Sequence, residues 1–178
     1  AAQDSDLLSS GEVTLVLPED WQRNLVEQRL VLHEAALVTR YQTGRDTHTV
    51  TSWMAEGLDL LVVQVESTAP LPELPVTVSV WDRRAKSYER IGVSGDVEQL
   101  IGPKATTNAT DILLSTVGVN ARRATALAVR PLEGKAQSAT AESLRTAMRV
   151  ASGGNQRLTL LVACPVVQGD KLSLDDAS

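Results

Sequence analysis

Alternating apolar and polar positions predict a meander of three consecutive β-strands over residues 29–67. The first segment, residues 29–41, has apolar side chains on both parities, the second, residues 47–55, alternates β-branched residues, and the third, residues 58–67, is mainly apolar. Gly44 lies between the first two segments and predicts a tight turn, because glycine adopts positive φ without strain. We expect the rest of the fold to be built around this meander.

Further strand signals lie on both sides of the meander. Residues 12–17 alternate and end at Pro18, which predicts a short edge strand because proline cannot donate to a ladder. The prolines within residues 68–75 predict a rigid connection. Residues 96–102 predict one helical turn, and residues 103–110 predict a polar loop. The remaining strand-like runs are residues 76–81, 87–93, 112–114, 125–130 and 156–167.

Residues 139–151 permit two interpretations. Their content of Ala, Glu, Leu, Arg and Met, followed by Gly153 and Gly154, is typical of a helix with a glycine stop. The alternation of Leu144 and Met148 with arginines favours a strand instead, and we adopt the strand.

Together these patterns predict an all-β fold, an antiparallel β-sandwich of the super-sandwich type with about ten to twelve strands and little helix. A length of 178 residues suits one domain. The predicted domain therefore spans residues 1–178, with residues 1–10 as a flexible lead-in. No repeat period emerges, which argues against a propeller or a solenoid.

Aromatic residues are scarce: they make up 3% of the chain, and Phe is absent. The core must therefore be built from Leu, Val, Ile and Ala, and we expect Trp21 to cover one edge of it. Stacking on a sugar or a base requires exposed rings. Carbohydrate contact is accordingly predicted at Trp21, Trp53 and Trp81, although packing is the main role expected for Trp53.

Charge and hydropathy exclude two classes of partner. The chain has 17 basic and 22 acidic residues and a net charge of −5, which disfavours nucleic acid because phosphate binding needs clustered Lys and Arg. No apolar run is long enough for a membrane helix, so no membrane span is predicted. The single cysteine, Cys164, lies among apolar residues and is expected to be buried as a small hydrophobe.

No constellation of side chains predicts a catalytic, metal or cofactor site. His33 and His48 have no cysteine cluster at zinc spacing. The adjacent carboxylates at 19–20 and 175–176 lie in loop or terminal settings and are interpreted as solvated surface. Neither a nucleophile elbow nor a phosphate-cradling loop is present. Asn108 begins a glycosylation sequon, which matters only in a eukaryotic secretory setting.

One succession of residues in the meander is more specific. It consists of Leu30-Val31-Leu32, Ala35, Arg40-Tyr41, His48-Thr49, Trp53-Met54-Ala55 and Leu61-Val62-Val63-Gln64-Val65. This succession resembles a pattern in the N-terminal β-sandwich domain of (α/α)6-barrel glycoside hydrolases, in their fucosidase-like branch and, with comparable strands, in their phosphorylase-like branch. Two positions depart from it: Val31 stands where the family has an acidic residue, and Gln64 where it has arginine.

The resemblance implies a large sandwich that packs on a helical barrel, and in this family the barrel holds the catalytic carboxylates. The sequence shows no counterpart of that barrel, nor of the glycine- and aromatic-rich segment that precedes the pattern in the family. No family catalytic residue is therefore assigned to this chain. Our first hypothesis is a non-catalytic β-sandwich domain of a carbohydrate-active, extracellular or periplasmic protein, packed on a catalytic helical domain of the parent chain.

Two other hypotheses stay open from the sequence. A free-standing carbohydrate-binding module would use exposed tryptophans and would have carbohydrate as its partner. A structural or assembly protein, such as a shell or surface-layer component, would suit the low aromatic content and the richness in Ala, Val and Thr.

Overall fold

The computed structural model of the protein describes residues 12–79, 104–107, 112–117, 123–132, 135–141, 145–151, 154–164 and 166–168. These ranges contain thirteen strands, one short α-helix and one 3-10 turn. The strands form a four-stranded and a nine-stranded sheet, and every strand pair is antiparallel. The predicted all-β sandwich with little helix is confirmed.

The elements are named here in chain order. The helix α1 is Glu19–Arg23, and the 3-10 turn is Leu32–Glu34. The strands are β1 Glu12–Leu15, β2 Leu25–Val31, β3 Ala36–Thr43, β4 Asp46–Met54, β5 Leu60–Ser67, β6 Leu74–Ser79, β7 Lys104–Thr107, β8 Ile112–Val117, β9 Arg123–Pro131, β10 Lys135–Ala141, β11 Arg145–Ala151, β12 Arg157–Ala163 and β13 Val166–Gln168.

The smaller sheet has the order β1-β6-β11-β10. Strand β1 lies at its edge, as predicted from the alternation that ends at Pro18. The strand interpretation of residues 139–151 is also confirmed, because these residues form the end of β10 and all of β11. In the register of β11 with β6, Met148 lies opposite Val76 and Val150 opposite Leu74. As a strand, this segment pairs with the apolar strand β6, which a helix in the same place could not do.

The larger sheet has the order β2-β3-β4-β5-β12-β9-β8-β7, with β13 pairing on β9. The predicted meander supplies β3, β4 and β5. Strand β12, near the end of the chain, pairs with β5 over seven positions, from Arg157 opposite Glu66 to Ala163 opposite Leu60. The sheet therefore joins distant parts of the sequence at its centre.

The hydrophobic core lies between the two sheets. Both sheets contribute fully buried side chains, and Trp21 of α1 packs against them. The core cluster consists of Trp21, Val65, Leu71, Leu74, Val76, Val78, Val129, Val150, Leu158, Leu160 and Val162. As the composition predicts, the core is aliphatic. Leu158, Leu160 and Val162 of the strand predicted within residues 156–167 are buried.

The first segment of the predicted meander was wrong as one continuous strand. Residues 29–41 contain the end of β2, the 3-10 turn and the start of β3. The chain reverses there: Ala35 adopts a left-handed φ of 48°, and Leu30 pairs with Leu37. The apolar residues at both odd and even positions of this segment belong to two antiparallel strands, β2 and β3, and not to one strand.

Three smaller predictions were also wrong. Residues 103–110 were expected to be a polar loop, but they contain β7, whose threonines pair with the apolar strand β8. The carboxylates at 19–20 were expected in a loop, but they begin α1. Cys164 was expected to be buried and is exposed, because β12 ends at Ala163 and the next residue leaves the sheet.

Several predictions lie outside the described residues. They concern the lead-in 1–10, Trp81, the strand 87–93, the helical turn 96–102, Asn108 and the carboxylates 175–176.

Candidate functional site

A buried histidine lies on β4, the strand between β3 and β5 in the larger sheet. His48 of β4 lies opposite Tyr41 of β3 on one side and opposite Ser67 of β5 on the other. Its side chain is 4% exposed. The distance from Nε2 to the Thr43 hydroxyl oxygen is 2.7 Å, and that from Nδ1 to the Ser67 hydroxyl oxygen is 2.9 Å. Both ring nitrogens are thus satisfied by hydroxyl groups from neighbouring strands.

Trp21 covers the imidazole of His48. The two rings are stacked, with centroids 3.8 Å apart and planes inclined by 10°. Tyr41 lies beside the indole, with its ring centroid 6.5 Å from that of Trp21. Burial raises the pKa of the Tyr41 phenol. This stack attaches α1 to the sheet, and we call Trp21, Tyr41, Thr43, His48 and Ser67 the His48 cluster.

The helix that carries Trp21 has its own local support. The Asp20 carboxylate accepts a hydrogen bond from the backbone N–H of Trp21 at 3.0 Å, and the Gln22 side chain donates to the Leu17 carbonyl at 2.7 Å. Acidic residues Glu19 and Asp20 lie in the first turn, where the helix dipole favours negative charge. Trp21 is therefore held by local bonds as well as by the imidazole beneath it.

Hydrogen bonding around Ser67 extends the cluster. The Ala69 N–H donates to the Ser67 hydroxyl oxygen at 3.0 Å. A hydroxyl can both donate and accept, so Ser67 and Thr43 satisfy the ring nitrogens in either tautomer of the neutral imidazole. Burial lowers the pKa of His48, and the nearby charges of Asp46 and Asp20 offset part of that effect. His48 is accordingly neutral in the folded protein near pH 7.

The pairing of a serine with a histidine invites comparison with nucleophilic sites. In such sites a third group, usually a carboxylate, orients the base, and the serine faces substrate. Here the third group is the Thr43 hydroxyl in place of a carboxylate, and His48 is buried beneath Trp21. The His48 cluster instead connects three strands and a helix, which is a structural role.

A polar cleft opens beside Ser67, where β5 and β12 pair. Its volume is about 450 Å³, and Glu66, Ser67, Asn155, Gln156 and Arg157 line it. The Arg157 guanidinium binds Glu66 Oε1 through two nitrogens, at 2.7 and 3.0 Å. The Gln156 side chain donates to the Thr68 carbonyl at 2.8 Å. Side chains of this kind bind hydroxyl groups, but Arg157 and Glu66 already bind each other, and none of the five lining residues is aromatic.

The structure separates the tryptophans that the sequence grouped as carbohydrate contacts. Trp21 is 4% exposed and belongs to the core, beyond the edge position expected for it. Trp53 of β4 is half-buried, and its register neighbours are Ala36 and Val62. Trp81 lies outside the described residues. Carbohydrate contact at these positions stays a prediction.

Sequence reasoning missed the His48 cluster. Its members come from three strands and a helix, and only the strand register brings them together. The one local signal was a histidine flanked by threonines on a buried strand. The other histidine, His33, lies exposed in the 3-10 turn, 3.2 Å from the Glu34 carboxylate.

The described residues contain no group of three or more His, Cys, Asp or Glu side chains placed to hold a metal ion. No helix among them has the length and apolar character needed to cross a membrane.

Comparison with known proteins gives a likeness of fold. No protein-family model and no curated protein matches the sequence. Among solved structures, the chain is similar to one titled "Putative kojibiose phosphorylase from human microbiome", with a TM-score of 0.58 and 9% sequence identity. The match covers 95% of this chain and 24% of that chain. This chain therefore spans about a quarter of the length of the protein that it resembles.

Proposed function

We propose that this chain is a non-catalytic β-sandwich domain of a carbohydrate-active, glycoside-hydrolase-like protein, and that it packs on a catalytic helical domain of the same polypeptide. The observation that carries the proposal is the asymmetric match: 95% of this chain has the fold of 24% of a chain titled as a phosphorylase of a sugar. The sequence pattern of the meander points independently to the sandwich domain of the same kind of enzyme.

An apolar surface at one end of the meander supports a packing role. Leu32, Leu37, Met54 and Leu58 are all exposed there, on the 3-10 turn, β3, β4 and the connection to β5. Contiguous exposed apolar side chains on a soluble protein mark contact surfaces. The half-buried Trp53 lies next to Met54 in the sequence, and so a neighbouring domain would cover both strand faces at this end.

The environment of His48 supports the non-catalytic part of the proposal. The imidazole is buried, and both of its ring nitrogens bind hydroxyl groups of neighbouring strands. A catalytic acid or base must instead lie within reach of a substrate proton. These side chains are committed to holding strands together.

The first test is the size of the natural polypeptide. Antibodies raised against this chain would recover it from its source, with fractionation that separates cytoplasm from periplasm or medium, and intact mass spectrometry would measure it. We expect a polypeptide several times heavier than 19.1 kDa, outside the cytoplasm, with a strong helical signal in circular dichroism. A product of 19.1 kDa with no covalently attached partner domain would refute the proposal.

Activity assays complete this test. The isolated chain and the recovered polypeptide would be incubated with a panel of disaccharides, with and without inorganic phosphate, and free sugars and sugar phosphates would be quantified. We expect turnover only with the recovered polypeptide. Turnover by the isolated chain would show that it is itself an enzyme.

A further inference from the structure

Among the strands that the structure describes, β2 lies at one edge of the nine-stranded sheet. It pairs with β3 on one side only. An edge strand presents a row of unpaired N–H and C=O groups, and long apolar edges pair readily with another strand. β2 is seven residues long and carries three exposed apolar side chains: Leu25 is 55% exposed, Val26 51% and Leu30 61%.

The sequence of β2, LVEQRLV, is complementary to itself when reversed. If a second copy of the strand runs antiparallel to the first about Gln28, Glu27 lies opposite Arg29 of the second copy, and this pairing occurs twice. Val26 then lies opposite Leu30, also twice. Opposite charges and apolar pairs directly across two antiparallel strands stabilise a sheet, and like charges destabilise it.

We propose that β2 is a self-association edge, through which two copies of this chain pair antiparallel about a two-fold axis at Gln28 and join their large sheets into one. This proposal does not depend on the proposed function. A two-fold interface uses the same surface of both copies, which is the property that the reversed complementarity of β2 provides.

The charged side chains are placed for this contact. The Glu27 carboxylate accepts from Arg40 of its own chain at 3.0 Å, whereas the Arg29 guanidinium is 3.9 Å from Glu27 and 63% exposed. In the dimer each Glu27 lies between its own Arg40 and the Arg29 of the second copy. Neighbouring registers are worse: centring the pair on Arg29 places two arginines opposite each other, and centring it on Glu27 places two glutamates together.

Apolar side chains extend the contact. Leu30 pairs with Leu37 of β3, and both are exposed. The register shift between Leu25 and Glu27 leaves Val26 without a partner on β3. In the dimer, Val26 of one copy lies opposite Leu30 of the other. A single strand pair buries less area than stable dimers need, so we expect a dimer that dissociates on dilution.

Charge reversal tests the axis. Light scattering over a dilution series should give twice the monomer mass for the native chain at high concentration, and the monomer mass of 19.1 kDa for Arg29→Glu alone and for Glu27→Arg alone. Mixing the two variants should restore the dimer, because Glu then faces Arg in both cross-strand pairs of positions 27 and 29. Arg45→Glu, in the exposed β3–β4 turn, is the matched control and should dimerise like the native chain. A native chain that is monomeric throughout, or variants that dimerise unchanged, would overturn the proposal.

Cross-linking tests the register independently. In a Cys164→Ser background, Gln28→Cys places two thiols directly opposite each other across the axis, at a separation that a disulfide can span. We expect a covalent dimer on mild oxidation. Leu30→Cys is the control, since its two copies would be about 13 Å apart along the strands and should stay monomeric. Equal cross-linking of both variants, or none with Gln28→Cys, would contradict this register.

Discussion

At the scale of single residues, His48 has the most consequential environment in the described chain. It is a titratable group that both satisfies its hydrogen bonds and provides a flat surface for Trp21. Buried polar groups of this kind are costly only when a partner is missing. Here every partner is a side chain of an adjacent element, so the histidine specifies how β3, β4, β5 and α1 fit together.

The lowered pKa of His48 predicts how stability depends on pH. Because burial disfavours the charged imidazole in the folded state, the unfolded chain binds the proton more readily below its ordinary pKa of 6.5. Stability from this group is therefore present above pH 6.5 and is lost as the pH falls through the lower pKa of the folded state. Urea unfolding of the native chain and of His48→Gln between pH 5 and pH 8 should show this loss only in the native chain.

The exposed histidine provides the control for this measurement. His33→Gln removes an imidazole that is 81% exposed, and it should retain the pH dependence of the native chain. If His48→Gln loses as much stability at low pH as the native chain does, the dependence arises elsewhere and our account of His48 is incorrect.

At the scale of elements, the turns determine which residues of the meander face the core. Strands β3 and β4 are joined by the two residues Gly44 and Arg45, with Thr43 opposite Asp46. Gly44 has a φ of 62°, and Arg45 is not among the residues with positive φ, which is the pattern of a type II′ hairpin turn. This turn sets the register that places His48 opposite Tyr41, so a one-residue slip would move the imidazole to the other face.

The positive φ of Gly44 predicts a cost for any side chain there. A Cβ at this position would meet nothing within 4 Å, so the cost comes from the backbone alone. Gly44→Val should lower the free energy of unfolding by about 1–2 kcal/mol, as expected for an L-residue at positive φ. Arg45→Ala, at the next turn position, should change it by less than about 0.5 kcal/mol. Equal effects in urea titrations would contradict the turn assignment.

At the scale of the whole molecule, the fold depends on contacts between distant parts of the sequence. Strand β12 pairs with β5, and β11 pairs with β6, so that the last third of the chain completes both sheets. The buried side chains of β12 lie beside apolar residues of β5 in the same sheet: Leu158 is opposite the buried Val65 and Leu160 opposite the half-buried Val63. We expect the chain to fold as one cooperative unit for this reason.

Truncation of a central side chain tests this dependence. Leu158 is 1% exposed, and Leu158→Ala should lower the free energy of unfolding by about 2–5 kcal/mol, since it removes buried methyl groups and leaves a cavity. Leu58→Ala, at an exposed position between β4 and β5, should cost less than about 0.5 kcal/mol. Chemical unfolding followed by circular dichroism measures both changes. A small effect of Leu158→Ala would show that Leu158 does not belong to the core.

Local pattern predicted much of the fold. The apolar pattern in residues 156–167 predicted the strand that carries the core residues Leu158, Leu160 and Val162, and Gly44 was recognised as a turn. The errors fell where the pattern was not local. Residues 29–41 were read as one strand because two antiparallel neighbours, β2 and β3, share an apolar composition. Cys164 followed the alternation of β12 but lies past its end.

The candidate site was less predictable than the strands. His48 was recognised only as a histidine between threonines, since nothing in the local sequence indicates that Ser67 or Trp21 will contact it. Those contacts depend on the β4–β5 register and on the position of α1. The reversed complementarity of β2 was present in the sequence from the start, but it acquired meaning only when β2 proved to be an edge.

The sequence by itself determined where strands form, which of their faces are apolar, and where the chain can turn, because these properties depend on the two-residue period of a strand and on the freedom of glycine. The tertiary structure alone decided which strands become neighbours, which polar side chains are buried together, and which strand is left at the edge. These depend on backbone hydrogen bonds between residues far apart in the chain, and local composition carries no record of them.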